Sequence, residues 1–235
     1  METYIAIDLE TTGLSPKLDR IVEIGAVRVE DGQITDELKL FVDPGRELPA
    51  RITELTGITQ DMLKDAVSQE TAIRQVTDFC EDLVLLGHNI LFDYSFLKRS
   101  AVNHSLPFVH QGIDTLKLAR HFLPDAESRR LEDLCTYYHI ETAHHHRAVD
   151  DAIAAKCLYD CLRGQFLEGH EAYFAPGELI YEVKRENPAT AAQKRYLNDL
   201  IKYHKIAIDY AVDQLTKNEA SRKIDQILLT YGRIR

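Results

Sequence analysis

Residues 4–13 read Tyr4-Ile5-Ala6-Ile7-Asp8-Leu9-Glu10-Thr11-Thr12-Gly13. Tyr4 to Glu10 alternates as a β-strand does. Successive side chains of a strand point to opposite faces, so Ile5, Ile7 and Leu9 share one face while Asp8 and Glu10 share the other. Two carboxylates held side by side repel each other unless a positive charge sits between them. For an isolated Asp-x-Glu the plainer explanation is a solvated edge strand. The turn that follows is rich in hydroxyls and ends at a glycine, where the backbone of a ligand can approach closely.

Downstream, the apolar runs Ile21–Glu30 and Ile34–Val42 flank Asp31-Gly32, a strong tight-turn signal, so the first strand is followed by an antiparallel hairpin. Helical spacing then takes over. Thr59 is placed to cap a short helix through Asp65, and Ile73, Val76, Phe79, Cys80 and Leu83 form one apolar face. Leu83–Leu86 reads as a buried strand ending at Gly87, and further helices are predicted over Thr115–Phe122, Ser128–Tyr138 and Ala148–Leu162. Strands first, then alternating helices and strands, indicate an α/β or α+β domain over residues 1–166, with a mixed β-sheet covered by helices. Residues 167–186, with Gly169, Pro176 and Gly177, read as a connector within which Leu179–Lys184 can pair as a short strand. Residues 187–235 read as a small helical region. Thr190 opens one helix, Thr216 and Glu219 form a capping box for a second, and Gly232 ends it. About 50 residues with two helices is marginal as a free-standing fold and is expected to dock elsewhere.

Composition narrows the class. Of 235 residues, 45% are hydrophobic and 28% charged, as in globular proteins. No apolar run approaches the roughly 18–20 residues that span a bilayer. The first residues lack the basic and apolar segments of a signal peptide. Four scattered cysteines without a C-x-x-C pair suit reduced thiols, so a cytoplasmic location and no membrane partner are expected. The net charge of -10 is unevenly spread: residues 184–235 hold 11 Lys/Arg against 6 Asp/Glu, and residues 1–183 hold 17 against 32. An acidic body with a basic tail suits an enzyme that collects cations and handles a polyanion, although an unrelated helical tail explains the charge equally well.

Two more acidic motifs stand out. Asp93 follows Gly87-His88-Asn89 and enters a predicted helix, and His144-His145-His146-Arg147-Ala148-Val149-Asp150-Asp151 leads into another. Alone, the first is a helix cap and the second a histidine-rich loop. In this order, the motifs resemble those of the DEDD exonucleases, in the DnaQ-like branch that carries a histidine in its third motif. D-x-E-T-T-G stands at Asp8–Gly13, G-H-N followed by F-D at Gly87–Asp93, and H-x-A-x-x-D at His146–Asp151. The alternative register, His145 with Asp150, would put Arg147 where the small alanine belongs. The tyrosine-bearing branch would need Tyr where Arg147 stands. Leu55–Thr59 and Ile113–Leu116 look like the exonuclease domains of bacterial DNA polymerase III, of epsilon-subunit and PolC type. Ala189–Gln193 and Leu215–Ser221 look like a helical module of unknown function found in bacterial and phage proteins.

The resemblance implies a ribonuclease H-like sheet and a metal-dependent 3′–5′ exonuclease. Asp8 would bridge two divalent cations, Mg²⁺ or Mn²⁺, with Glu10, Asp93 and Asp151 completing the site. His146 would take the proton from the attacking water; its ordinary pKa of about 6.5, lowered by nearby cations, leaves it neutral and competent. Thr11, Thr12, Gly13 and Leu14 would hold the terminal nucleotide, while His88 and Asn89 would orient Asp93 or touch substrate. Cleavage would release nucleoside 5′-monophosphates from a nucleic acid with a free 3′ end, DNA favoured over RNA, in proofreading or repair. A polymerase or replication partner would bind through the C-terminal region. An exoribonuclease and a non-catalytic binding subunit are the alternatives. Asp114 is expected to cap a helix, and Cys157 and Cys161 to be core residues.

Overall fold

The computed structural model describes residues 3–141 and 147–234. It divides into two compact units, Met1–Pro44 with Leu48–Val183, and Gly45–Glu47 with Lys184–Arg235.

The larger unit is a six-stranded mixed sheet between helical layers. Its strands are β1 (Thr3–Thr11), β2 (Ile21–Glu30), β3 (Gln33–Phe41), β4 (Leu85–Gly87), β5 (Gln111–Asp114) and β6 (Gly177–Glu178). Its helices are α1 (Ala50–Thr56), α2 (Gln69–Cys80), α3 (Ile90–Asn103), α4 (Thr115–Phe122), α5 (Leu131–Tyr138), α6 (Ala148–Phe166) and α7 (Glu171–Phe174). The sheet order is β3-β2-β1-β4-β5-β6, antiparallel at β1–β2, β2–β3 and β5–β6 and parallel at β1–β4 and β4–β5. This is the expected ribonuclease H-like α/β architecture. Asp31 and Gly32 both adopt positive φ (47° and 80°), the geometry that matches a two-residue hairpin to the twist of its strands.

β1 therefore lies inside the sheet rather than at its edge. Ile5, Ile7 and Leu9 enter one core with Ile73, Val76, Tyr94 and Leu97 from α2 and α3. Tyr4 and Ala6 enter the other, with Leu118, Leu134, Leu158 and Leu162 from α4, α5 and α6. Asp8 and Glu10, in phase with Tyr4 and Ala6, consequently belong to the α6 side.

Several expectations need correction. Thr59–Asp65 forms turns instead of a helix. The helix lies just before it, at α1, where Pro49 precedes the first turn, Gly57 in the left-handed region closes the last, and the Thr56 hydroxyl donates to Ile52 O. Only Ile52 and Thr56 of α1 are buried, so its apolar face is too narrow to show as periodicity. β4 occupies Leu85–Gly87, and Leu83 lies before it and outside α2. β5 is four residues long and leaves no run to detect. The last pairing forms at Gly177–Glu178, not at Leu179–Lys184.

In the smaller unit, α8 (Ala191–His204) and α9 (Lys217–Tyr231) both start with complete capping boxes, Thr190 with Gln193 and Thr216 with Glu219. Leu197, Leu200, Val212, Leu215, Ala220 and Ile227 form its core. Residues 45–47 belong to it: Glu47 N donates to Asp209 O (2.7 Å), Ala211 N donates to Gly45 O (2.8 Å), and Arg46 pairs with the buried Glu219 (3.6 Å). No described helix is long and apolar enough to cross a membrane.

One contact places α6 on the sheet. A Cβ on Gly25 of β2 would lie 2.0 Å from Val149 N and 2.1 Å from Ala148 C, so the start of α6 rests directly on the strand backbone. Gly25→Ala must push the helix away, and with backbone as the obstacle the cost should reach at least the roughly 1–3 kcal/mol of core overpacking. A Tm decrease of at least about 2 °C is expected in scanning calorimetry. Gly164→Ala, at an exposed position of the same helix with open space around it, should hold or raise Tm.

Candidate active site

Parallel strands β1 and β4 are paired only at Ile5–Leu85 and Ala6–Leu86. β4 then turns into α3, and β1 runs on past it. The Leu9 amide, beyond the reach of β4, donates to Asp93 Oδ1 at 3.1 Å. Asp93, in the first turn of α3, is 2% exposed. The crevice at the carboxyl ends of these strands is where α/β sheets gather functional groups.

Asp8 lies opposite Gly25 and Glu10 opposite Glu23 in the β1–β2 register. Asp151 stands in the first turn of α6, whose start is seated at Gly25. Ligand oxygens of Asp8, Glu10 and Asp151 lie within 4.8 Å of one another. Asp93 is outside that trio, but its charge is the strongest of those acting on Asp8. Burial, then the charges of Asp93, Asp151 and Glu10, push the Asp8 carboxyl well above its usual range. Burial, with Asp151 and Glu23, pushes Glu10 up to about 8, against a smaller opposing pull from Arg147. Asp93 is raised by burial, opposed by the backbone amides it accepts from. An all-carboxylate group under this mutual repulsion is the donor set that a hard divalent cation satisfies. His146, with His144 and His145, lies outside the described residues.

The turn after β1 is braced from within. Thr11 Oγ1 donates to Gly13 O (2.6 Å), Thr12 Oγ1 to Asp19 Oδ1 (3.3 Å), and Ser15 N to Asp19 Oδ2 (2.9 Å). Thr11, Thr12 and Gly13 are buried, whereas Leu14 is 84% exposed. His88, expected to orient Asp93 or touch substrate, is held within the fold: Nδ1 meets Thr115 Oγ1 at 2.9 Å and Nε2 meets Arg129 O at 2.8 Å. Burial lowers its pKa, so the neutral ring donates from Nε2 to the carbonyl and accepts the Thr115 hydroxyl at Nδ1. Asn89 is exposed and left-handed (φ 71°), its amide donating to Asp114 Oδ1 at 3.0 Å. Asp114 caps α4 through Leu116 N and Lys117 N, as expected, and so also fixes the start of α3.

Glu23 was not apparent as a site residue. It is fully buried and accepts from Arg147 and from the Ala148 amide. Its signal was available as a charge inside the apolar run Ile21-Val22-Glu23-Ile24. Asp19 left none.

Among known proteins, the family model described as exonuclease (RNase T) matches residues 5–159. The chain belongs to this exonuclease family. DNA polymerase III PolC-type of Bacillus subtilis is 42% identical over 161 residues, which is 67% of this exonuclease chain and 11% of the relative; the chain thus spans about a tenth of the curated relatives it matches. Escherichia coli exonuclease I in an ssDNA complex superposes with a TM-score of 0.67 at 20% identity, over 74% of this chain and 43% of that one. Exonuclease X in complex with 5′-overhanging duplex DNA gives 0.56 at 27% identity, over 69% and 92%. The DnaQ-like resemblance drawn from three motifs is borne out.

The raised carboxyls carry a stability signature. Their folded pKa values exceed the unfolded ones, so their favourable contribution is complete below the unfolded value and is lost as pH rises through the folded value, for Glu10 between 4.5 and about 8. In EDTA, Tm should fall as pH rises from 5 to 8. Mg²⁺ or Mn²⁺ should restore it most at pH 8, where protons no longer compete, and Glu10→Gln should flatten the slope. A Tm insensitive to both pH and metal would show that these carboxylates neither crowd nor bind cations.

Proposed function

We propose that the chain is a metal-dependent 3′–5′ exonuclease that removes nucleoside 5′-monophosphates from single-stranded or frayed 3′ ends of DNA, in proofreading or repair in the cytoplasm. The observation that carries this reading is the approach of Asp8, Glu10 and Asp151 oxygens to within 4.8 Å in a chain of the exonuclease family. The donors are all carboxylate oxygens, as hard cations such as Mg²⁺ or Mn²⁺ prefer. A bound pair of such ions would supply an activated water, neutralise the phosphate and stabilise the leaving oxygen.

The chain's own residues divide the remaining work. Asp8, flanked by charge from Asp93, Asp151 and Glu10, would hold the ions together with Glu10 and Asp151, and Asp93 would complete the set. His146 accepts the proton of the attacking water. The Thr11 and Thr12 hydroxyls are engaged inside their own turn, so a terminal nucleotide would meet the backbone of residues 11–14 and the exposed Leu14 side chain. The similarity to PolC-type polymerases supports DNA as substrate and a polymerase as partner; residues 187–235 would be the part that reaches it.

Matched 3′-labelled DNA and RNA strands test the proposal. Mononucleotide release should require Mg²⁺ or Mn²⁺, stop in EDTA and run faster on DNA; faster release from RNA would overturn the substrate. His146→Ala should lower turnover by about 10²–10⁴-fold, the usual worth of a positioned base. Asp8→Ala should cost more than the roughly 10–100-fold seen when a mere outer partner of a metal ligand is lost. Unchanged rates in either variant would overturn the site.

A further inference from the structure

The start of α6 lacks the usual side-chain cap. Arg147 occupies the capping position and makes no capping hydrogen bond of its own. Glu23 replaces that cap from another element. Its carboxylate accepts the Ala148 amide at 3.2 Å, satisfying one of the orphan donors of the first helical turn. The same carboxylate takes the Arg147 fork, from Nη2 at 2.9 Å and from Nε at 3.2 and 3.3 Å. The guanidinium carbon lies 5.5 Å from the centre of the Phe41 ring, so the fork is gripped between β2 and β3. One helical turn on, the Asp151 amide donates to Arg147 O at 3.0 Å. An unbroken path of short contacts therefore links Glu23 to the Asp151 backbone.

We propose that Glu23 and Arg147 are a positioning pair that locks the first turn of α6 onto β2 and thereby sets where the Asp151 carboxylate meets those of Asp8 and Glu10. The helix turns about 100° per residue, so a small slip at Arg147 swings Asp151 away from the cluster. The guanidinium neutralises Glu23, which keeps a buried carboxylate opposite Glu10 from becoming a competing ligand. This inference rests on the reading of the three carboxylates as a cation site.

The test uses the full chain with Glu23→Gln, Arg147→Lys and the double variant. It reads Mn²⁺ dependence in two ways, by nucleotide release and by the metal-induced rise in Tm. Glu23→Gln should raise the half-saturating Mn²⁺ concentration by about tenfold or more, in the range of partners that orient metal ligands, with turnover largely recovered at saturating metal. Arg147→Lys keeps the charge but loses the planar fork, and should shift it in the same direction by less. The double variant should be no worse than Glu23→Gln, because both changes act through one contact. An unchanged half-saturation, a turnover loss that metal does not recover, or additive penalties would overturn the pair as a positioning device. If Glu23→Gln does not fold, Arg147→Lys carries the test in the same terms. If the parent releases no nucleotide, the proposed function fails, while the Mn²⁺ titration of Tm in parent and variants still decides the role of the pair.

Discussion

Crowded negative charge at the end of a buried central strand is the constraint around which the larger unit is built. Carboxylates in a poorly solvated place are costly when ionised and costly again when they face one another. Asp8 and Glu10 incur both costs, with Asp151 adding its charge to both and Asp93 to Asp8. A fold that served stability alone would disperse these groups or replace them with apolar ones. Their retention ties local instability to an affinity for cations, the same free energy seen from two sides.

Three devices bring the acids to the site. Asp8 and Glu10 come from the alternation of β1. Asp93 comes from the parting of β1 and β4, which frees the Leu9 amide to hold its carboxylate. Asp151 comes from a helix seated on a glycine and pinned by a buried Glu–Arg fork. Buried ion pairs contribute little net stability against an apolar substitute, but they are demanding about geometry. That trade suits a place where direction matters more than energy.

Much of this was legible in the residues. The strand period of Tyr4–Glu10 and the Asp31-Gly32 turn define the hairpin without tertiary information, and Thr190 and Thr216 announce their helices through capping chemistry. What escaped was tertiary in origin. α1 buries only Ile52 and Thr56, and β5 is defined by the neighbours it pairs with rather than by its own composition. In the site, the acidic motifs are local in sequence, whereas Glu23 takes its role from partners more than 120 residues away and Asp19 from a turn that no residue pattern marks. His88 joins Thr115 to Arg129, which no spacing rule relates.

The membership of Gly45–Glu47 in the smaller unit changes how that unit can be dissected. Its polypeptide is not a detachable appendix, because a short excursion between β3 and α1 is stitched into it by the hydrogen bonds to Asp209 and Ala211 and by the Arg46–Glu219 pair. Terminating the chain after Val183 would strip that excursion of these partners while leaving it in place. A fragment cut there would differ from the parent at a second locus some 140 residues upstream, and its altered behaviour would be credited to the wrong segment unless residues 45–47 were re-engineered with the truncation.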